Sequence, residues 1–385
     1  MGSIRRVIIF SLYSIALLCV LIFPTKYGEA FVDAVLFIPQ VIPSISVKPL
    51  ELVTDVPEKR LIQFPTETGV ASADLYIPSE PGKHSGILFF MGVVPPDSNE
   101  ERIVALGEGL ARSGLVVMIP WLETQHTNQL VVQDIDNLVW AFEYLRSMEI
   151  VNPNNVGMGG ICTGASMVMV AAQDSRISSN VKYINSFAGY YDALDMVRSV
   201  SSRSRFYGDQ TSSWIPDKLT LELFTSHLIQ GVYSQNEKDL LTRIHINNEI
   251  VHENEILSLS DEAINIHLLL KGQSLEVVDQ ILLNLSVDTI DELKKISPST
   301  NIDQLSAKVF VMHDVADKLV PSEESKRLAD FLVQKGQVYH TEFNLFQNEI
   351  QVHKDDNNNL GSLNRLMELT KLFLHMYNIM LEVNE

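Results

Sequence analysis

The sequence predicts an α/β fold with a mostly parallel sheet covered on both faces, on three observations. Short runs that are apolar throughout, Gly86–Met91 and Leu115–Ile119, alternate with segments of helical spacing, Asn99–Ser113 and Val131–Met148. That rhythm stops near Asp195, gives way to a helical pattern over 197–297, and resumes at Lys308. A glycine-flanked turn, Gly160-Ile161-Cys162-Thr163-Gly164, joins a buried strand directly to a helix.

Composition narrows the class further. The chain has 385 residues, 46% apolar and 20% charged, which supports one large core or two modest ones and excludes a disordered or collagen-like protein. Lys plus Arg number 29 against 48 Asp plus Glu, a net charge of −19 that repels phosphate backbones, so no nucleic-acid partner is expected. The two cysteines, Cys19 and Cys162, exclude a disulfide scaffold and any multi-cysteine zinc site.

The first segment bears on the compartment. Arg5 and Arg6 precede Val7–Phe23, a run of 17 residues without a charge. Its length is at the short end of what spans a bilayer and beyond the usual apolar region of a signal peptide. Arginines on its N-terminal side favour a cytoplasmic N-terminus and an exported remainder. The expectation is a retained signal anchor, with the membrane as a partner through Val7–Phe23 and the main domain outside the cytoplasm. The other reading is cleavage after Ala30, giving an exported protein, but Glu29 and the distance from the apolar run make that site poor. No small residues of a lipid-attachment signal precede Cys19, so no lipid anchor is predicted there. A second apolar stretch, Ala30–Ile42, is broken by Pro39 and Pro43 and reads either as membrane-proximal or as packed on the domain.

From about Arg60 the elements follow in order. Leu61–Pro65 and Ala71–Ile77 alternate like antiparallel strands, with Glu67-Thr68-Gly69 as their turn. Gly86–Met91 is a buried strand, and the helix Asn99–Ser113 ends at Gly114, a natural C-cap. The strand Leu115–Ile119, the helix Val131–Met148, the strand Val156–Gly159, the helix Ser166–Gln173 and the strand Val181–Phe187 complete the first half. After the break come the strand Lys308–His313, the helix Ser322–Lys335, the strand Val338–Leu345 and a final helix from about Leu360. The organisation predicted is an anchor and membrane-proximal segment at 1–45, a first core part at 46–196, a helical cap at 197–297 and a second core part at 298–385.

The chemistry concentrates at the turn. A tight strand-to-helix turn lifts its central side chain above the sheet, and Gly160 and Gly164 leave room that neighbouring β-carbons would fill. Cys162 is thus the candidate nucleophile, and the helix N-terminus behind it is expected to lower its pKa. The backbone N–H of Thr163 is one candidate oxyanion donor, with a second from Gly92 or Val93 in the loop after Met91. Asp317, in His313-Asp314-Val315-Ala316-Asp317, follows a buried strand at the end where such sheets carry catalytic loops, and is preferred over Asp314 as the acid. His353, on the loop after the last strand, is placed as the general base. His340 lies within a strand and His375 within the terminal helix, so both read as structural or surface residues.

With these residues in view, the core resembles an α/β-hydrolase, and its cysteine elbow resembles that of the dienelactone hydrolase family. Cys162, Asp317 and His353 come in that family's order of nucleophile, acid and base. Ser186–Asp192 resembles the strand end after the elbow helix, and Ile296-Ser297-Pro298 the approach to the acid's strand. The likeness covers about residues 60–195 and 296–380. Asp314 stands where a glycine is usual, and Lys354-Asp355 follow the histidine where Gly and Phe are common. The resemblance implies hydrolysis of a small-molecule carboxylic ester, lactone or thioester through an acyl-cysteine intermediate, with no metal and no organic cofactor. The insertion occupies a usual lid position. Trp214, Leu219, Leu221, Leu223, Phe224 and Leu228 are candidates to line an acyl site or to form the insertion's own core. Two rivals stand beside this reading: acyl transfer to an amine or alcohol on the same fold, and a non-catalytic binding protein on a hydrolase scaffold.

Overall fold

The structure is a computed structural model describing residues 24–42, 45–93, 99–127, 129–345 and 362–385. Val7–Phe23, with Cys19, and His353 lie outside the described residues.

Strands β1 (Glu58–Thr66) and β2 (Gly69–Ile77) form the expected antiparallel hairpin, with Glu58 opposite Ile77 and Thr66 opposite Gly69. The sheet continues through β3 (His84–Phe90), β4 (Leu115–Trp121), β5 (Val151–Ile161) and β6 (Val181–Phe187). A separate small hairpin, β7 (Ser204–Tyr207) with β8 (Gln210–Ser213), precedes the last two sheet strands, β9 (Lys308–Asp314) and β10 (Val338–Phe343). The eight-stranded order is β1-β2-β4-β3-β5-β6-β9-β10. β2 runs antiparallel to β4, and the strands from β4 onward are parallel. This is the α/β-hydrolase arrangement that the sequence led us to expect. β4 is buried along its whole length, the physical reason its sequence shows no polar alternation.

Helices cover both faces. On one lie α1 (Lys26–Val41), α2 (Glu101–Arg112) and the C-terminal helix, Ser362–Val383, which share a core with Tyr76, Phe89, Val117 and Phe310. On the other lie α3 (Gln133–Ser147), α4 (Thr163–Ala171) and a later helix, Ser322–Val333, around Phe90, Met118, Met158 and Val309. Gly114 closes α2 at φ +87, a left-handed position that glycine adopts without strain.

The stretch Ala30–Ile42 packs on the domain. α1 buries Ala30, Ala34, Phe37 and Ile38 and runs through Pro39 into its last turn. Lys48 caps that end, its Nζ donating to the carbonyls of Pro39 (2.6 Å) and Ile42 (3.0 Å). Among the described residues no helix is long and apolar enough to cross a membrane.

The insertion has its own core. α5 (Ala193–Ser202), α6 (Lys218–Gly231), α7 (Gln235–His245), α8 (Asp261–Lys271), α9 (Leu275–Leu282) and α10 (Val287–Lys295) enclose Val197, Leu228, Leu241, Ile266, Leu269 and Val278. The β7–β8 hairpin departs from the wholly helical pattern expected here. Its strands have four residues each and β8 is exposed throughout, too short and too polar to carry a periodic signal. Phe206 fixes it between the guanidinium groups of Arg198 and Arg327, 4.0 and 4.8 Å from the ring centre. Arg327 belongs to the helix Ser322–Val333, designated α11, and the C-terminal helix is α12.

Candidate active site

β5 ends at Ile161 and α4 begins at Thr163, which leaves Cys162 alone in the turn at φ +53 and ψ −126. A non-glycine residue in such a conformation costs on the order of 1–3 kcal/mol and persists only where its surroundings enforce it. Here the Cys162 N–H donates to the Phe187 carbonyl at 2.8 Å, and the Cys162 carbonyl accepts from the Ala165 N–H at 3.1 Å. The flanking glycines are required by space. A β-carbon on Gly160 would stand 2.6 Å from the Ala165 nitrogen, and one on Gly164 would stand 2.3 Å from the Phe90 carbonyl oxygen.

The loop after β3 lies backbone to backbone on this turn. Gly92, at φ +68, would push a β-carbon to 2.4 Å from the Gly164 nitrogen. The Val93 N–H donates to Thr163 Oγ1 at 3.2 Å, so one of the two expected loop donors is engaged with the Thr163 side chain. The Thr163 N–H hydrogen-bonds the Cys162 sulfur and favours its thiolate.

Cys162 opens on an apolar cavity of about 70 Å³ between the core and the insertion. Val93, Thr163 and Tyr190 contribute from the core side, and Leu219, Leu223, Phe224, His227 and Leu228 from α6. Four of the six insertion residues named as candidates therefore reach the cavity, whereas Trp214 and Leu221 are not among its lining residues. Trp214 is buried instead against the acid loop, its indole N–H donating to the Asp317 carbonyl at 2.8 Å. The Asp217 N–H donates to the Lys318 carbonyl at 2.7 Å, and Thr220 Oγ1 to the Leu319 carbonyl at 2.9 Å.

Asp317 lies in that loop, 3% exposed. Its Oδ1 accepts from the N–H groups of Leu319 (2.6 Å) and Val320 (3.3 Å). Burial pushes its pKa up to about 7, against those two N–H groups, which lower it. Asp314, at the end of β9 and 1% exposed, accepts from the Ala316 N–H at 3.0 Å and receives the Asp317 N–H on its carbonyl at 3.1 Å. It shapes the turn that carries Asp317.

The thiol differs from expectation. Burial raises the Cys162 pKa to about 12, and the nearby Asp317 charge adds to the rise. Among the described residues, the Thr163 N–H opposes them. The helix N-terminus acts as predicted in sign, but desolvation in an apolar cavity outweighs it.

The histidines sort by their partners. His313 is fully buried, with Nδ1 against the Ser325 hydroxyl and Nε2 donating to the Val320 carbonyl at 2.9 Å, and burial pushes its pKa down to about 3. It is a neutral strut of the acid loop. His375 is buried beside Thr341 Oγ1 at 2.9 Å, and His340 sits within β10; neither lines the cavity. His353 lies outside the described residues. His227, on α6, does line the cavity, and burial lowers its pKa. Nothing in the sequence marked it: it is one histidine in an amphipathic helix, outside any motif. Among the described residues no group of three or more His, Cys, Asp or Glu is placed to hold a metal ion.

No family model matches the sequence, and no curated protein matches it. Among solved structures, the chain is similar to an acylaminoacyl peptidase in complex with a chloromethyl ketone at 15% identity and a TM-score of 0.49, over 84% of this chain and 42% of that one. It is similar to the acylaminoacyl peptidase of Pyrococcus horikoshii at 14% identity and 0.46, over 78% and 39%. It is similar to a hyperthermophilic esterase from the archaeon Pyrobaculum calidifontis at 12% identity and 0.46, over 91% and 92%. The chain spans about two fifths of the length of the two peptidases. The strand order defines the fold; these likenesses add nothing about activity.

Proposed function

We propose that the chain is a hydrolase of small carboxylic esters, lactones or thioesters that works through an acyl-cysteine intermediate on Cys162, as its resemblance to dienelactone hydrolases implies. The observation that carries this reading is Cys162 itself, held at φ +53 between β5 and α4 and opening on an apolar cavity. A structural cysteine has no need of that strain.

The sulfur attacks the acyl carbon while its proton passes to His353. His353 removes the proton that burial otherwise keeps on the thiol. The new oxyanion is held by the Thr163 N–H and by the Gly92 or Val93 N–H, the latter released from Thr163 Oγ1. His353 then protonates the leaving group and the carbon–heteroatom bond breaks; water attacks the acyl carbon with His353 again as base, the carbon–sulfur bond breaks, the acid leaves and Cys162 regains its proton. Asp317 orients that imidazole and balances its charge. The insertion serves as a lid: α6 walls the cavity, excludes water and limits the acyl portion. Hydrolysis rates across short and long acyl chains, as oxygen esters, lactones and thioesters, test the reading. Rates in Cys162→Ala equal to those of the unaltered protein would reject it.

A further inference from the structure

Away from the cavity, α1 and α12 leave an apolar ridge uncovered. Tyr27, Phe31 and Val35 stand four residues apart on one stripe of α1, 55%, 47% and 43% exposed, while Ala30, Ala34 and Phe37 on the adjoining face are buried. Phe31 meets Phe373 of α12 edge to face at 5.3 Å. Leu366 and Leu374 of α12 are also exposed, at 61% and 45%. The charged residues of α1 are Lys26, Glu29 and Asp33; Lys26 pairs with Glu385 at 2.8 Å, and Asp33 accepts from Asn384 at 3.2 Å. Aromatic and aliphatic side chains gathered across two helices mark a surface that meets something other than water.

We propose that this ridge lies on a lipid bilayer. The chain itself indicates that occupant. The charge-free run of 17 residues ends at Phe23, three residues before α1 begins at Lys26. Its length is at the short limit of what crosses a hydrocarbon core. A chain leaving the bilayer at Phe23 delivers α1 to the bilayer surface, and the apolar stripe is the side of α1 that the core leaves available. Tyr27 and Phe31 are of the type that settles at headgroup level. With a net charge of −19, apolar burial holds the contact, not attraction to anionic headgroups, so the fitting partner is a zwitterionic surface. The inference is independent of the reaction proposed for Cys162.

The full chain reconstituted in phosphatidylcholine vesicles tests it, with a photoactivated carbene reagent dissolved in the acyl chains and labelled peptides read by mass spectrometry. The peptides carrying Tyr27–Val35 and Leu366–Leu374 should be labelled several-fold more than the peptide carrying Trp140, which is exposed on α3. Phe31→Asp combined with Val35→Asp should abolish the excess at Leu366–Leu374, while Cys162 keeps its reactivity toward a small thiol reagent. Labelling confined to Val7–Phe23 would overturn the proposal. An unlabelled ridge that cross-links between chains would assign it to a second copy, and an unlabelled ridge in a monomer would assign it to the chain's own N-terminal run; either result excludes the bilayer.

Discussion

Trp214, from the insertion, donates its indole N–H to the backbone carbonyl of Asp317 at 2.8 Å. The segment that walls the cavity therefore also holds the loop bearing the candidate acid, with Asp217 and Thr220 adding two further hydrogen bonds. The cavity wall and the loop of the candidate acid are tied together. Trp214→Phe keeps most of the apolar bulk and removes the donor, leaving a buried carbonyl without it at a cost of about 1–3 kcal/mol. We expect kcat to fall about tenfold or more with KM little changed, since Trp214 does not touch the cavity. A change in KM alone would place Trp214 in substrate binding. For the same reason, replacing the whole insertion by a short linker would disturb the acid loop as well as the lid, and does not isolate either.

Asp317→Asn should trade activity for stability. Its folded pKa is raised, to about 7 from the ordinary 3.8, so the neutral acid suits the fold. The associated stability is present below about pH 4 and is lost as pH rises through about 7. Asparagine keeps an acceptor for the Leu319 and Val320 N–H groups without the buried charge. The variant should be more stable than the unaltered protein at pH 8, by up to about 4 kcal/mol, and match it near pH 4. Its kcat should fall by about 10³ or more. An Asp314→Asn variant with the larger loss of activity would reassign the acid.

The raised thiol gives a prediction about His353. Burial and the Asp317 charge raise the Cys162 pKa to about 12, against the Thr163 N–H. If His353 is the base, His353→Ala should leave Cys162 inert to iodoacetamide at pH 7–8, with reactivity rising only in strong alkali. The unaltered protein should react readily at pH 7–8. Equal profiles for the two proteins would remove His353 from the site.

His227 should act on selectivity. In a mostly apolar cavity its imidazole is one of a few polar side chains that could meet the substrate, and burial lowers its pKa. His227→Leu should lower kcat/KM about tenfold for acyl groups carrying a hydroxyl or amide, through KM, and spare plain alkyl chains. A uniform loss in kcat for every substrate would instead make it part of the proton path.

The sequence was legible where local pattern and burial coincide. Leu115–Ile119 is apolar because β4 is buried on both faces, and Gly160-x-Cys162-x-Gly164 is spaced as it is because two β-carbons would collide with backbone. It was not legible where long-range contacts decide. The indole of Trp214 reaches a carbonyl 103 residues away, which its leucine-rich neighbours do not announce. The Cys162 pKa depends on a cavity assembled from distant segments, and that burial reversed the effect of the helix N-terminus. Pro39 suggested a broken stretch, yet the helix carries it in its last turn, where Lys48 takes up the terminal carbonyls.

The central claim is the acyl bond to Cys162. Intact-mass analysis of protein quenched in acid after brief reaction with an activated thioester measures it directly. The account predicts a mass increase of one acyl group, located to the peptide containing Cys162, lost on longer incubation and missing from Cys162→Ala. An acyl group that persists in Cys162→Ala, or that maps to Ser166, would contradict it.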